Sequence, residues 1–278
     1  MDLELSQISI AFLLATLAGI STAIGALIAF FSRQDNFTFL SIGLGFSAGV
    51  MIYISFMEIL PSSFVDFTKV YGEFIGSSLA ILFFFVGSLL AALVDRLIPE
   101  DLHIKQKDDY NELKICPLVS GVKRPNLALK RTGLLTAIAI SIHNLPEGFA
   151  TFVSSLDNIS FGVAIAIAVA IHNIPEGMAV SLPIYHATGE KRKAFKYAAL
   201  SGLTEPIGAL IGFFLILPFI GELTLAFTFA IIAGIMVYIS FDELLPAARV
   251  YGEAHHCLYG LFAGMAVMAF SLILLNVA

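Results

Sequence analysis

The chain has 278 residues, 58% of them hydrophobic and 13% charged, with a formal net charge of −6. Soluble domains carry about 45–50% apolar and about 25% charged residues, so this composition excludes a soluble globular protein and identifies an integral membrane protein. The net charge says little about partners, because in a membrane protein the placement of Lys and Arg matters more than their sum; no nucleic-acid partner is expected.

Eight apolar stretches follow one another at about residues 8–31, 37–60, 74–98, 132–155, 160–184, 196–220, 224–246 and 258–277. Each approximates the 20 or so residues that cross a bilayer, which predicts an all-α protein of eight transmembrane helices. The first stretch opens with Asp2 and Glu4 and has no small-residue cleavage pattern, so it reads as a retained helix and not a signal peptide. Span two ends in Ala48-Gly49-Val50-Met51-Ile52-Tyr53-Ile54-Ser55-Phe56-Met57-Glu58-Ile59-Leu60-Pro61. After span three comes the one long polar stretch, 99–131, with mixed charges, Pro117 and Pro125. It lacks a helix-period apolar pattern and is expected to be a flexible cytoplasmic loop within a single transmembrane domain, 1–278. Spans four and five carry nearly identical hexapeptides, His143-Asn144-Leu145-Pro146-Glu147-Gly148 and His172-Asn173-Ile174-Pro175-Glu176-Gly177. Span six contains Thr204-Glu205-Pro206. Span seven holds Ala233-Gly234-Ile235-Met236-Val237-Tyr238-Ile239-Ser240-Phe241-Asp242-Glu243-Leu244-Leu245-Pro246, identical to the end of span two at ten of fourteen positions.

With the N-terminus outside, fourteen of the fifteen Lys and Arg residues fall in inner loops and only Lys69 lies outside. The positive-inside rule therefore predicts that both termini face outward across a cytoplasmic (inner) membrane. Cys116 and Cys257 then sit in cytoplasmic loops and need no disulfide. His103 and His186 read as surface residues. Spans two and seven run in opposite directions, as do four and five. Matching sequences in opposite orientations indicate inverted repeats, spans 1–3 and 6–8, around a central helix pair: a 3+2+3 arrangement that places a site at the midplane.

An ionised side chain at mid-membrane costs roughly 2.5–3.5 kcal/mol on insertion scales, so His143, Glu147, His172, Glu176 and Glu205 need a compensating ligand. With no intramembrane Lys or Arg to balance them, a divalent cation would neutralise the excess negative charge. Positions i and i+4 share a helix face, so His143 is expected to act with Glu147, and His172 with Glu176. Asn144 and Asn173 lie about 100° around the helix and could face a second, neighbouring position that the carboxylates bridge. Pro146 and Pro175 are expected to kink and interrupt their helices beside the ligands, and Gly148 and Gly177 to allow close helix approach. Imidazole with carboxylate and amide oxygen suits Zn²⁺, Fe²⁺, Co²⁺ or Mn²⁺. Glu58 near the outer end, and Asp242 with Glu243 near the inner end, mark a route across the membrane. Met51 and Met236 are candidate soft ligands, though Met in an apolar helix is usually packing.

These motifs resemble those of the ZIP (Zrt/Irt-like) family of metal transporters across essentially the whole chain. The resemblance implies uptake of divalent metal, Zn²⁺ with Fe²⁺, Mn²⁺, Co²⁺ and Cd²⁺, as transported substrate and not as catalytic cofactor. It implies a binuclear centre on His143, Asn144, Glu147, His172, Asn173, Glu176 and Glu205, a homodimer, and movement of one helix group against another. The loop 99–131 has no His-rich run of the kind many eukaryotic members carry. A membrane-embedded zinc hydrolase is the rival reading, but there is no HExxH and no separate general base. A metal-sensing membrane protein that binds without moving its ion is the third.

Overall fold

The computed structural model describes residues 5–31, 33–97, 126–157, 159–216, 222–252 and 254–277, and every regular element among them is helical. Helix α1 spans Leu5–Leu27 and ends in a 3₁₀ turn, Ile28–Phe30. Asn36 caps α2 (Phe37–Ile54), its side chain accepting from the Phe39 N–H at 3.0 Å. A π turn, Ser55–Ile59, carries α2 into α3 (Leu60–Tyr71). Gly72, at φ 78, makes the left-handed corner to α4 (Glu73–Leu97). Next come α5 (Asn126–Asp157) and α6 (Ile159–Thr188), then α7 (Lys191–Gly202) and α8 (Thr204–Ile211), the last continuing as a π turn, Gly212–Ile216. Helix α9 (Glu222–Ile239) passes through a π turn, Ser240–Leu244, into α10 (Leu245–Tyr251), and α11 is Ala254–Val277.

Seven helical segments among the described residues are long and apolar enough to cross a membrane. Helix α5 is not among them despite its 32 residues, because Lys130, Arg131, His143, Asn144 and Glu147 lower its apolar character. Several expected bounds shift. The second span runs on to Tyr71, and α5 starts at Asn126, so the last six residues of the expected loop are helix. The rest of that loop, with Cys116 and His103, lies outside the described residues.

The interruption expected at Pro146 and Pro175 does not occur. Helices α5 and α6 continue without interruption through Pro146 and Pro175. The breaks fall elsewhere: at Leu203, between α7 and α8, and at the three π turns. The two repeat copies wind alike. In each π turn the next N–H reaches back five residues, Leu60 to Ser55 and Leu245 to Ser240, with Pro61 or Pro246 following in the first turn of the next helix. A proline has no N–H to give, so the wider turn absorbs the missing bond.

The helices sort into two groups by contact. One packs α1, α5, α6, α7 and α8 together; the other packs α2 with α10 and α11, and α4 with α3 and α9. Close approach within the first group depends on reciprocal glycines. A side chain at Gly148 would strike the backbone of Glu205, and one at Gly208 the backbone of Leu145, which seats α5 on α8. Gly25 against Ile174 and Gly177 against Thr22 seat α1 on α6 in the same way.

Helix ends are stitched consistently. At one end Lys191 Nζ donates to the Phe30 carbonyl, Gln34 Nε2 to the His186 carbonyl at 3.3 Å, and Ser41 Oγ to the Ala248 carbonyl at 2.7 Å. At the other, Ser63 Oγ donates to the Ala226 carbonyl at 2.8 Å. The connections α1–α2 and α6–α7 therefore share an end with α10. His186 is not the surface residue expected: it is buried, packed against the rings of Phe37 and Tyr185.

Replacing Gly148 by Leu should force α5 and α8 apart and destabilise the protein by about 1–3 kcal/mol, the usual cost of overpacking. A lowered unfolding midpoint of the detergent-solubilised variant, with Gly148→Ala less affected, is the expected result.

Candidate metal centre

The hexapeptides of α5 and α6 face each other with the helices antiparallel, so the His of one lies opposite the Glu of the other. His143 Nε2 is 2.9 Å from Glu176 Oε1, and His172 Nε2 is 2.6 Å from Glu147 Oε1. The hydrogen bonds thus cross between helices, while the sequence spacing concerned which groups on one helix could share an ion, and His143 and Glu147 do fall in one cluster. The physical reason for the crossing is reach: i and i+4 are offset by about 6 Å along one helix, while a facing antiparallel helix presents its groups at the same level. Ligand atoms of His143, Glu147 and Glu176 all lie within 4.8 Å of one another, the spread that a single cation can gather. His172 touches this cluster through Glu147. Its Nδ1–H donates to the Ala168 carbonyl at 3.1 Å, which fixes Nε2 as the nitrogen presented to the carboxylates.

The amides organise the flank. Asn173 Nδ2 donates to the Ala18 carbonyl of α1 at 3.0 Å and to Glu205 Oε1. Asn144 Nδ2 donates to the Ser201 carbonyl at 3.3 Å. Thr204 Oγ1 donates to that same carbonyl, which holds the break at Leu203 open and turns Glu205 inward on the first turn of α8. Pro206 has no N–H to continue the ladder, so the chain breaks where the acid must point.

All seven expected ligands are brought together here and all are at most 4% exposed. Six of their atoms are buried without a hydrogen-bond partner: His143 Nδ1, Asn144 Oδ1, Glu147 Oε2, Asn173 Oδ1, Glu176 Oε2 and Glu205 Oε2. Five are oxygens, and buried acceptors left unmade are costly unless something electropositive meets them. The donor set fits a borderline divalent cation.

The other candidates lie apart. Met51 and Met236 are fully buried in the main apolar cluster with Leu44, Ile54 and Ile239, where they act as packing. Glu58 is exposed within the first π turn. Asp242 and Glu243 join a residue the sequence did not single out, Asp95 of α4, with carboxylate oxygens mutually within 4.8 Å. Asp95 precedes Arg96 at the end of an apolar span and looks like an ordinary interfacial acid; only the packing of α4 on α9 reveals its company. Asp95 and Glu243 line a cleft of about 270 Å³ that also reaches Tyr238, Ile142 and Pro146, the last two next to His143 and Glu147 in the chain.

The ZIP Zinc transporter family profile matches residues 100–272. The chain is 61% identical to the zinc transporter ZupT of Campylobacter jejuni, over 99% of this chain and 100% of that one. It is 52% identical to the zinc transporter ZupT of Streptococcus mutans, over 95% and 97% of the two chains. With the zinc transporter ZupT of Clostridium perfringens it shares 47% identity over 98% of each.

Removing a carboxylate from the three-ligand cluster should weaken equilibrium Zn²⁺ binding by more than about 100-fold, beyond what loss of an outer-shell partner usually costs. Glu147→Ala and Glu176→Ala, titrated as purified protein, should both show it. Wild-type affinity in either variant would place the cation elsewhere.

Proposed function

The chain belongs to the ZIP zinc transporter family, and we propose that it takes up divalent cations across the cytoplasmic membrane, Zn²⁺ first, with Fe²⁺, Mn²⁺, Co²⁺ and Cd²⁺ as further substrates. The observation that carries this reading is the buried cluster of His143, Glu147 and Glu176 at the α5–α6 interface, in a chain 61% identical to a zinc transporter along its length. The hydrolase reading gains no support: the relatives bear transporter names.

In this reading α5 is the eighth span. Its polar residues face α1, α6 and α8 and not lipid, as intramembrane polar groups do. The 3+2+3 arrangement draws support from the paired π turns, and from α1 seating on α6 as α8 seats on α5. His143, Glu147, Glu176 and His172 form the nitrogen-containing position. Asn144, Asn173 and Glu205 supply oxygens to a neighbouring position, with Glu147 and Glu176 bridging. On arrival the cation replaces the crossed His–Glu contacts, so the site exchanges internal pairs for metal ligation and never leaves bare charge in an apolar surround.

Transport then requires the first helix group to shift against the second. Glu58 gathers cations at the outer mouth, and Asp95, Asp242 and Glu243 receive them on the cytoplasmic side through the cleft. An inside-negative potential of 100 mV would contribute about 4.6 kcal/mol to inward movement of a divalent ion. The homodimer implied by the family resemblance completes the reading, with exposed apolar residues of α4 such as Phe85 and Leu89 available to lipid or a second copy.

Reconstituted in proteoliposomes, the protein should accumulate radiolabelled Zn²⁺. Glu147→Ala and Glu176→Ala should abolish uptake, and Glu58→Gln should chiefly raise KM. Binding without net flux would establish a sensor instead.

Orientation is checked by single cysteines at Glu73 and Glu190, both exposed, in a background lacking Cys116 and Cys257. An impermeant thiol reagent on intact cells should label position 73 and not 190. The reverse pattern would turn the pathway around and make export the better reading.

A further inference from the structure

Helix α1 lies against α6, α7 and α8 around the centre, yet the sequence placed none of its residues among the ligands. It carries Thr22, fully buried in the interior, with Oγ1 lacking any hydrogen-bond partner. Four other buried helix hydroxyls, those of Thr136, Thr151, Ser154 and Ser181, share this state, so the neighbours of each decide what it means. Helix hydroxyls ordinarily donate back to the carbonyl four residues earlier, which satisfies them at little cost. Thr16 does so to Phe12 at 2.7 Å, Ser141 to Ala137 at 2.7 Å and Ser155 to Thr151 at 2.6 Å. For Thr22 the corresponding acceptor is Ala18. That carbonyl already receives Ser21 Oγ at 2.5 Å and Asn173 Nδ2 at 3.0 Å, in addition to the helix ladder. Three donors already crowd an oxygen with two lone pairs, and no place remains for a fourth from Thr22. The asparagine that reaches over from the metal centre has in effect evicted the threonine hydroxyl from its default bond.

The neighbours define where this hydroxyl stands. A Cβ at Gly202 would lie 2.9 Å from Thr22 Cβ and 3.1 Å from its Oγ1, and Gly202 adjoins Ser201, whose carbonyl is held by Asn144. A side chain at Gly177 would strike the Thr22 backbone, and Gly177 adjoins Glu176. One turn back on α1, a Cβ at Gly19 would lie 3.3 Å from Glu205 Cβ. Thr22 therefore lies against Gly202 and Gly177, the chain neighbours of Ser201 and Glu176, and one turn from Gly19, which faces Glu205; Asn144 Oδ1, Asn173 Oδ1 and Glu205 Oε2 are, like its hydroxyl, buried without a partner.

We propose that Thr22 is a specificity-determining residue, its hydroxyl supplying an oxygen to the position formed by Asn144, Asn173 and Glu205 and biasing that position toward hard, oxygen-preferring cations. This rests on the transport reading for the existence of the flanking position. Oxygen-only donor sets favour Mn²⁺ over Zn²⁺ relative to sites that offer imidazole, so one more oxygen acts on the ratio between metals.

The test compares Thr22→Val, which keeps the shape and removes the hydroxyl, with Thr22→Ser, which keeps the hydroxyl and removes the methyl. Mn²⁺ binding to purified protein is followed by electron paramagnetic resonance of the free ion, Zn²⁺ binding by competition, and uptake of both metals in proteoliposomes. Thr22→Val should lower the Mn²⁺-to-Zn²⁺ affinity ratio about tenfold, the scale of losing one supporting partner of a metal position. Thr22→Ser should stay within about twofold of the wild-type ratio. A wild-type ratio in Thr22→Val, an equal loss for both metals, or failure of Thr22→Ser to preserve the ratio would each overturn the proposal. If the wild-type protein binds both metals and moves neither, the transport reading fails while the binding ratio still decides the role of Thr22.

Discussion

Charge inside a low-dielectric slab must be answered within hydrogen-bonding distance, and the rest of this structure depends on how that is done. His143, Glu147, His172, Glu176 and Glu205 are all at most 4% exposed. Among the described residues none has a Lys or Arg partner; the two imidazoles are the facing groups, each reaching across to the opposite helix. Breaking such a pair leaves an uncompensated buried charge, a far larger loss than the pair's net contribution when intact. The helices must accordingly sit close enough for short contacts. Gly25, Gly148, Gly177 and Gly208 permit it, and each touches the backbone of the facing helix within a few residues of a site residue.

The two asparagines use the two ends of their amides differently. Their amide hydrogens hold α1 and the end of α7 in place, while their oxygens remain unpartnered beside Glu205. Each side chain thus anchors a neighbouring helix through its nitrogen and keeps its oxygen unspent. The seam between the two helix groups has a different character. Leu40, Leu44 and Met51 of α2 share one apolar cluster with Met178, Ala179 and Leu182 of α6, and Ser47 Oγ crosses to the Pro175 carbonyl at 2.6 Å. Dispersion across such a surface has little directional preference, so alternative registers differ modestly in energy. Within the first group the directional bonds are dense, which lets it behave as a unit carrying its site.

How much of this was legible beforehand depends on the kind of signal. The paired hexapeptides announced the centre because ionisable groups are rare in apolar helices, and Glu205-Pro206 was found for the same reason. The repeat between spans two and seven was visible in placed Tyr, Ser, Glu and Pro residues, and both copies indeed share one backbone form. Who touches whom was not visible. Sequence spacing reports geometry along one helix, so His143 and Glu176, 33 residues apart, could be paired only once the helices were set against each other. Asp95 was hidden for a similar reason, its partners lying far along the chain in the π turn that follows α9. The prolines misled because their effect was assigned to the helices that contain them. The chain instead placed its irregularities at Leu203 and in the π turns.

Those π turns bear on helical phase. Each inserts an extra residue into the winding, so everything downstream is rotated by about 100° relative to an unbroken α-helix. Glu58 and Glu243 lie inside the turns themselves, at the point where the rotation accumulates. The azimuth of each acid is therefore set by where the bulge sits and not by its distance from Met51 or Met236 along the sequence. A bulge that migrated by one residue would swing a carboxylate from one side of its helix toward another with no change of tilt and no broken packing upstream. The repeated Ser-Phe-x-Glu segments thus combine a rigid stem with a rotary joint, one in each half of the molecule.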